Sequence, residues 1–217
     1  MAVIAIDNFF TPLECDEYIQ LSQTHDENSK QSVEIQSATF SPLAMSKRTS
    51  TTWFCHYSQQ STLLAKAKHL LSLSQSTTSL SSLNIRLIEE PQIVRYRIGE
   101  EFSWHYDEIP RQQIEQEGSG GQRIGTLLVY LNTIEDTRGG GTVFRDLVRP
   151  GRSYKNQINK MKSDKVSVKE EDRLTMRPKK GSALLFFPAK LDGTPDDRYV
   201  AHTFIKRQIY FYHTICI

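Results

Sequence analysis

The stretch "FSWHYDEIP" at residues 102–110 carries a His and an Asp two positions apart. On a β-strand, residues i and i+2 point to the same face, about 7 Å apart along the chain. His105 and Asp107 can therefore converge on one metal ion while Tyr106 points away. Two imidazoles and one carboxylate on one face of an octahedral ion make the donor set of a non-haem Fe(II) oxygenase. Three coordination positions then stay open, enough for a bidentate co-substrate and O2. By itself a His-x-Asp pair reads as a surface or hydrogen-bonded couple, because a chain with six His residues produces such spacings by chance. The second imidazole is best sought at His202, in a strand-like segment that follows "LDGTPDDRYVA". The other histidines are less well placed. His25 and His56 lie in polar surroundings early in the chain, His69 falls within an amphipathic helical pattern, and His213 stands on the last strand-like segment.

Such ligands need a rigid frame, and the patterning supplies one. "VIAIDNFF" reads as a short strand. "TPLECDEYIQL" reads as a helix start, with Thr11 as cap, Pro12 at the first helical position and Glu14 three residues after the cap. "STLLAKAKHLLSL" places Leu63, Leu64, Ala67, Leu70 and Leu71 on one helical face, as a helix packed on a sheet requires. The serine-rich run at 72–82 predicts a loop. Beyond it the texture changes to strands: "NIRLIEEPQIVRYRI", "RIGTLLVYLN", "SALLFFP", "RYVAHTF" and "RQIYFYHTICI". Their β-branched and aromatic residues are bounded by Gly, Pro, Asn and Asp. Helices early and many short strands late indicate an α+β chain built on a β-sandwich or barrel. Two polar stretches interrupt it. Residues 115–122, "EQEGSGGQ", are glycine-rich and predicted to be mobile. Residues 149–173 mix both signs of charge, as a solvated insertion or a substrate-gripping lid does.

Composition narrows the function classes. At 217 residues the chain predicts one domain, with a helical and strand-bearing N-terminal part at about 1–84 and a core at about 85–217. With 27 Lys and Arg against 25 Asp and Glu, the formal charge is +2, which gives no reason to invoke nucleic acid, whose binding needs a concentrated basic face. Three scattered cysteines, Cys15, Cys55 and Cys216, read as free thiols in a reducing compartment. The N-terminus lacks a signal-peptide pattern, and no run of about 18 apolar residues spans a membrane. A cytoplasmic protein with no membrane or nucleic-acid partner is the expectation; the oligomeric state stays open.

Several stretches, in order, resemble the prolyl 4-hydroxylase group of Fe(II)/2-oxoglutarate dioxygenases. "PQIVRYRIGEEFSWHYD" resembles its strand, turn and His-x-Asp strand, and "RIGTLLVYLNTIEDTRGGGTVF" its following hairpin. "RPKKGSALLFF" resembles its Pro-Lys-x-Gly strand, and "DGTPDDRYVAH" the approach to its distal His. Upstream, "IDNFFTPLECDEYIQLS" and "KRTSTTWF" resemble its N-terminal helix and Arg-x-Ser segment. The resemblance implies a double-stranded β-helix, or jelly roll, braced by N-terminal helices. It implies Fe(II) held by His105, Asp107 and His202, with 2-oxoglutarate chelating the iron. O2 is then consumed, 2-oxoglutarate becomes succinate and CO2, and a C–H bond becomes an alcohol. Ascorbate is a candidate accessory reductant.

The same resemblance implies co-substrate contacts. Tyr130 donates to the 5-carboxylate of 2-oxoglutarate, Thr126 shares its strand face, and Tyr96 lies beside the co-substrate. Each tyrosine serves equally as a core aromatic with a wet hydroxyl. The chain has Phe102 where many relatives have Tyr, and Trp104 is either mouth-lining or packing. One position departs from the pattern. A buried carboxylate needs a cationic partner, and the family places a Lys or Arg about nine or ten residues after the distal His. Phe211 and Tyr212 stand there instead. A shorter loop between the last two strands brings Arg207 into line, where its planar fork suits a carboxylate. Lys206 is the second choice, and both also fit solvent-facing turn positions.

The substrate implied first is peptidyl proline in a peptide or protein. A free amino acid or small metabolite is the enzymatic alternative, and a non-catalytic metal- or 2-oxoglutarate-binding sensor is the alternative from another class. Arg95, Arg97 and Arg145 are candidates for gripping a substrate carboxylate or backbone. Loops on a rigid scaffold carry specificity, which points to 115–122 and 149–173.

Overall fold

A computed structural model of the protein describes residues 3–28, 33–34, 50–55, 57–73, 88–109, 121–135, 139–152, 168–190, 202–206 and 210–216. The chain runs β1 (Ile4–Ile6), α1 (Pro12–Asn28), β2 (Val33–Glu34), β3 (Thr51–Phe54), α2 (Ser61–Leu73) and β4 (Gln92–Tyr96). It continues with β5 (Phe102–His105), β6 (Thr126–Tyr130), β7 (Gly139–Val148), β8 (Arg173–Met176), β9 (Ala183–Phe186), β10 (His202–Lys206) and β11 (Tyr210–Cys216).

The two helices form where capping and periodicity predict. The Thr11 N–H donates to Glu14 Oε2 at 2.7 Å, and the Glu14 N–H donates back to Thr11 Oγ1 at 3.2 Å. This reciprocal box satisfies donors that a helix start leaves without partners. The start of α2 is served from α1: the Leu63 N–H donates to the Tyr18 hydroxyl at 3.2 Å. Lys66 joins the two further, donating to Glu14 Oε2 at 2.6 Å and to the Phe9 carbonyl at 2.9 Å. Among the described residues no helix is long and apolar enough to cross a membrane.

The strands form two sheets, and every pairing is antiparallel. The large sheet has the order β1-β9-β6-β11-β4-β3-β2, and the small one β5-β10-β7-β8. From β4 onward the chain crosses repeatedly between them. β4, β6, β9 and β11 lie in the large sheet, β5, β7, β8 and β10 in the small one. That winding is the jelly roll that the family resemblance implies, within the sandwich or barrel class that the patterning indicates. β6 is shorter than its sequence pattern: residues 123–132 yield Thr126–Tyr130. Of the 72–82 run, positions 72 and 73 continue α2, and the rest lies outside the described residues.

Two apolar layers result. Val94, Tyr96, Phe102, Leu128, Tyr130, Phe144, Leu184 and Phe186 fill the space between the sheets, with Phe144 and Phe186 edge-on at 5.3 Å. On the other face of the large sheet, Trp53, Ile93, Leu127, Val129 and Leu185 cluster with Cys15 and Tyr18 of α1 and Leu63, Leu64 and Ala67 of α2. Alternate residues of β6 thus feed opposite layers. This explains why "TLLVY" is an unbroken apolar run in sequence: all five residues are buried. Gly181, at φ +82°, ties the N-terminal segment to this frame. Its N–H donates to the Tyr130 carbonyl at 2.8 Å, and its carbonyl accepts from the Phe10 N–H at 2.9 Å.

Candidate active site

β5 ends at His105, and Asp107 follows two residues later, outside the regular ladder. The His105 ring is 3% exposed and stacks on Phe102, centroids 3.4 Å apart and planes 9° from parallel. Its Nδ1 lies 2.8 Å from the Ser103 carbonyl oxygen. A carbonyl only accepts, so Nδ1 carries the proton, and Nε2 of the neutral ring presents a lone pair. That Nε2 lies 3.3 Å from Asp107 Oδ1. The other carboxylate oxygen, Oδ2, accepts from the Thr126 hydroxyl at 2.8 Å. β10 completes the arrangement in backbone register: His202 pairs with His105 on one side and with Phe144 of β7 on the other. Directly opposed residues of antiparallel strands have Cα atoms about 4.5–5.5 Å apart. The His202 side chain lies outside the described residues, and among those described no three His, Cys, Asp or Glu side chains gather into a metal group.

His105 and Asp107 fit two of the donors that an Fe(II) site takes. Two lone-pair atoms facing each other at 3.3 Å repel unless a cation or proton lies between them. Neighbouring ligands of an octahedral ion with bonds of about 2.1 Å are spaced at about 3 Å. A histidine whose remote N–H is held by a carbonyl is the usual outer support of a metal ligand.

Deeper between the sheets, Tyr130 and Thr142 share a hydrogen bond of 2.7 Å between their hydroxyls, both residues fully buried. Tyr96 is buried in the same cluster. Thr126 and Tyr130 do share a face of β6, with Thr126 at the Asp107 end. Lys206 pairs in backbone register with Gly139 at the end of β10, its side chain outside the described residues, as is the whole of Arg207. The candidate substrate arginines separate. Arg95 sits over the Trp53 ring at 4.9 Å, on the helix side of the large sheet. Arg97 is exposed after β4, and Arg145 is engaged with the adjacent Asp146 carboxylate at 2.6 Å. Trp104 is half-buried beneath the Arg173 guanidinium at 5.4 Å.

Residues without a sequence signal complete the site. Arg123 donates from Nη1 to the Asp107 carbonyl at 3.2 Å, and its fork grips Glu89 at 2.5 and 3.0 Å. Burial works against its charge, but Cys216 and Glu89 outweigh that and raise the guanidinium pKa. Gln122 closes the 115–122 stretch, of which 115–120 lie outside the described residues, and is bonded to Ile109. The Cys216 thiol, 3.9 Å from Thr126 Oγ1, is pushed up to about 12 by burial. Thr142 is the Thr of the Thr-x-Phe in the quoted hairpin, which marked its place but assigned it no role. The missed contacts are side-chain bonds to distant backbone or hydroxyl groups, which leave no periodicity to find.

Comparison with known proteins places these features in context. The sequence model of the 2OG-Fe(II) oxygenase superfamily matches residues 91–206. The chain is 28% identical over 193 residues to Prolyl 4-hydroxylase 2 of Arabidopsis thaliana, covering 88% of this chain and 58% of the relative. It spans about half the length of the curated relatives it matches. Its fold is similar to the viral collagen prolyl hydroxylase from Paramecium Bursaria Chlorella virus-1, solved as a 2OG complex: TM-score 0.61, 17% identity, 100% of this chain and 95% of that one. It is also similar to a prolyl hydroxylase from Trichoplax adhaerens, solved with a hypoxia inducible factor peptide fragment: TM-score 0.58, 13% identity, 99% and 82% coverage.

Proposed function

The chain belongs to the 2OG-Fe(II) oxygenase superfamily, and from that premise we propose that it hydroxylates C4 of a prolyl residue in a peptide or protein. Superfamily members use Fe(II), 2-oxoglutarate and O2. In this reading His105, Asp107 and His202 hold the iron, and residues 1–217 act as one oxygenase domain whose helices α1 and α2 brace the large sheet. Cytoplasmic residence is part of the proposal and is supported by three free thiols. One observation carries the site: His202 stands opposite His105 in the β10–β5 register, with Asp107 Oδ1 3.3 Å from His105 Nε2.

Bound iron with 2-oxoglutarate supplies O2 activation, so that 2-oxoglutarate, O2 and R–H become succinate, CO2 and R–OH. The protein's own groups prepare for this. The Ser103 carbonyl holds the His105 proton on Nδ1, leaving Nε2 as a donor atom. The Thr126 hydroxyl holds Asp107 Oδ2, so that Oδ1 faces His105. Phe102 covers the imidazole face and keeps water from it. Tyr130 and Thr142 form a buried hydroxyl pair suited to the far carboxylate of 2-oxoglutarate, with Tyr96 beside it. Arg207, or else Lys206, supplies that carboxylate's counter-charge. The peptide preference is supported by the named activity of the curated relatives and by the peptide-bound structural neighbour.

Succinate formation with Fe(II), 2-oxoglutarate and O2 tests the reading. A proline-containing peptide is expected to accelerate it, with no activity in His105→Ala. Acceleration by free proline or lysine alone would replace the peptide with a small molecule. Wild type no faster than His105→Ala, with or without substrate, would leave a sensor domain.

A further inference from the structure

We infer that Gln122 is a positioning residue for the metal-binding carboxylate, an inference that rests on the iron-site reading above. Asp107 needs such support because it lies beyond the end of β5 and before the start of β6 at Thr126. No strand ladder holds residues 106–109 in the described structure. The Gln122 amide takes the place of a neighbouring strand. Its Oε1 accepts from the Ile109 N–H at 2.7 Å, and its Nε2 donates to the Ile109 carbonyl at 2.8 Å. Both backbone groups of one residue are thus paired by one side chain. Oε1 also accepts from the Arg123 N–H at 2.9 Å. Two N–H donors face the oxygen and a carbonyl faces the nitrogen, so the amide cannot be turned over without three repulsive contacts.

The clamp acts on Asp107 through a short path. Ile109 is two residues from Asp107, and the residue after Gln122, Arg123, holds the Asp107 carbonyl at 3.2 Å. Three residues further, Thr126 holds Oδ2. Gln122, Arg123 and Thr126 therefore grip the Ile109 backbone, the Asp107 backbone and the Asp107 carboxylate from one segment. That segment is anchored because it enters β6, which is paired on both sides and fully buried. Only glutamine serves at 122: leucine makes neither bond, glutamate accepts but does not donate, and asparagine is a methylene short.

The test uses Co(II) as probe and two readouts on wild type, Gln122→Leu and Gln122→Glu. One is amide hydrogen exchange of the metal-free protein, resolved at Ile109 and within β6. The other is Co(II) affinity followed by its visible absorption. In Gln122→Leu, Ile109 is expected to lose protection while Leu127–Tyr130 keep theirs, and the Co(II) Kd rises about tenfold or more, the usual scale for an outer-shell support. Gln122→Glu, keeping the acceptor, falls between. Lost protection at Ile109 with unchanged Co(II) affinity would overturn the positioning role. So would an affinity loss matched by lost protection throughout β6, which marks general destabilisation. Wild type that protects Ile109 yet binds no Co(II) would overturn the iron-site reading, and this inference with it.

Discussion

Asp107 has two oxygens with different tasks, and Thr126 separates them. Its hydroxyl engages Oδ2 at 2.8 Å and leaves Oδ1 toward His105. Thr126→Val keeps the shape and removes the donor, so the Fe(II) or Co(II) Kd is expected to rise about tenfold by the outer-shell argument. Thr126→Ser, which restores a hydroxyl, should recover most of it in a direct binding titration. An unchanged Thr126→Val affinity would mean that the carboxylate is held in place without this bond. The His-x-Asp spacing singled out the pair, but Asp107 lies beyond the end of β5, so a shared strand face is not what brings its carboxylate to His105. The backbone position of His202, at the start of β10 opposite His105, agrees with the late strand expected there, while its side chain lies outside the described residues. Gln122, Arg123 and Glu89 were not legible in the sequence, since a fork on a carboxylate 34 positions away leaves no local pattern.

At the level of elements, caps were read more reliably than strand lengths. The Thr11–Glu14 box formed as the residue spacing required. Burial works to raise the Glu14 pKa, but the hydrogen bonds from Lys66 and Thr11 win and the net shift is downward. A carboxylate with a lowered folded pKa stabilises above its ordinary value of about 4.3, and loses that contribution as acid titrates the folded form. Glu14→Gln should therefore flatten part of the stability loss measured by denaturant unfolding below about pH 4.5. The Gly181 turn offers a sharper test. At φ +82° an added Cβ would lie 2.3 Å from the Phe10 carbonyl oxygen, a backbone atom that has no easy way to yield. Gly181→Ala is expected to cost at least about 2 kcal/mol in urea unfolding. Strand ends were less legible because β-propensity continues into residues that only flank a ladder. β6 hid its alternation because both of its faces are covered.

The described residues form a jelly roll with one apolar layer between its sheets and another shared with α1 and α2. The sequence conveyed the class through early helices and late strands, and the motif order conveyed the winding. What it could not convey is which faces meet: Arg95 shares its strand with Tyr96 yet sits with Trp53 on the helix side. The proposed function requires that His105, Asp107 and His202 hold iron, which 2-oxoglutarate then chelates. It is tested most directly by anaerobic titration of metal-free protein with Fe(II) and then 2-oxoglutarate, following the weak visible charge-transfer band of the chelate. The band is predicted in wild type, absent in His105→Ala, and formed in Arg207→Ala only at much higher 2-oxoglutarate. No band in wild type would contradict this iron and 2-oxoglutarate site.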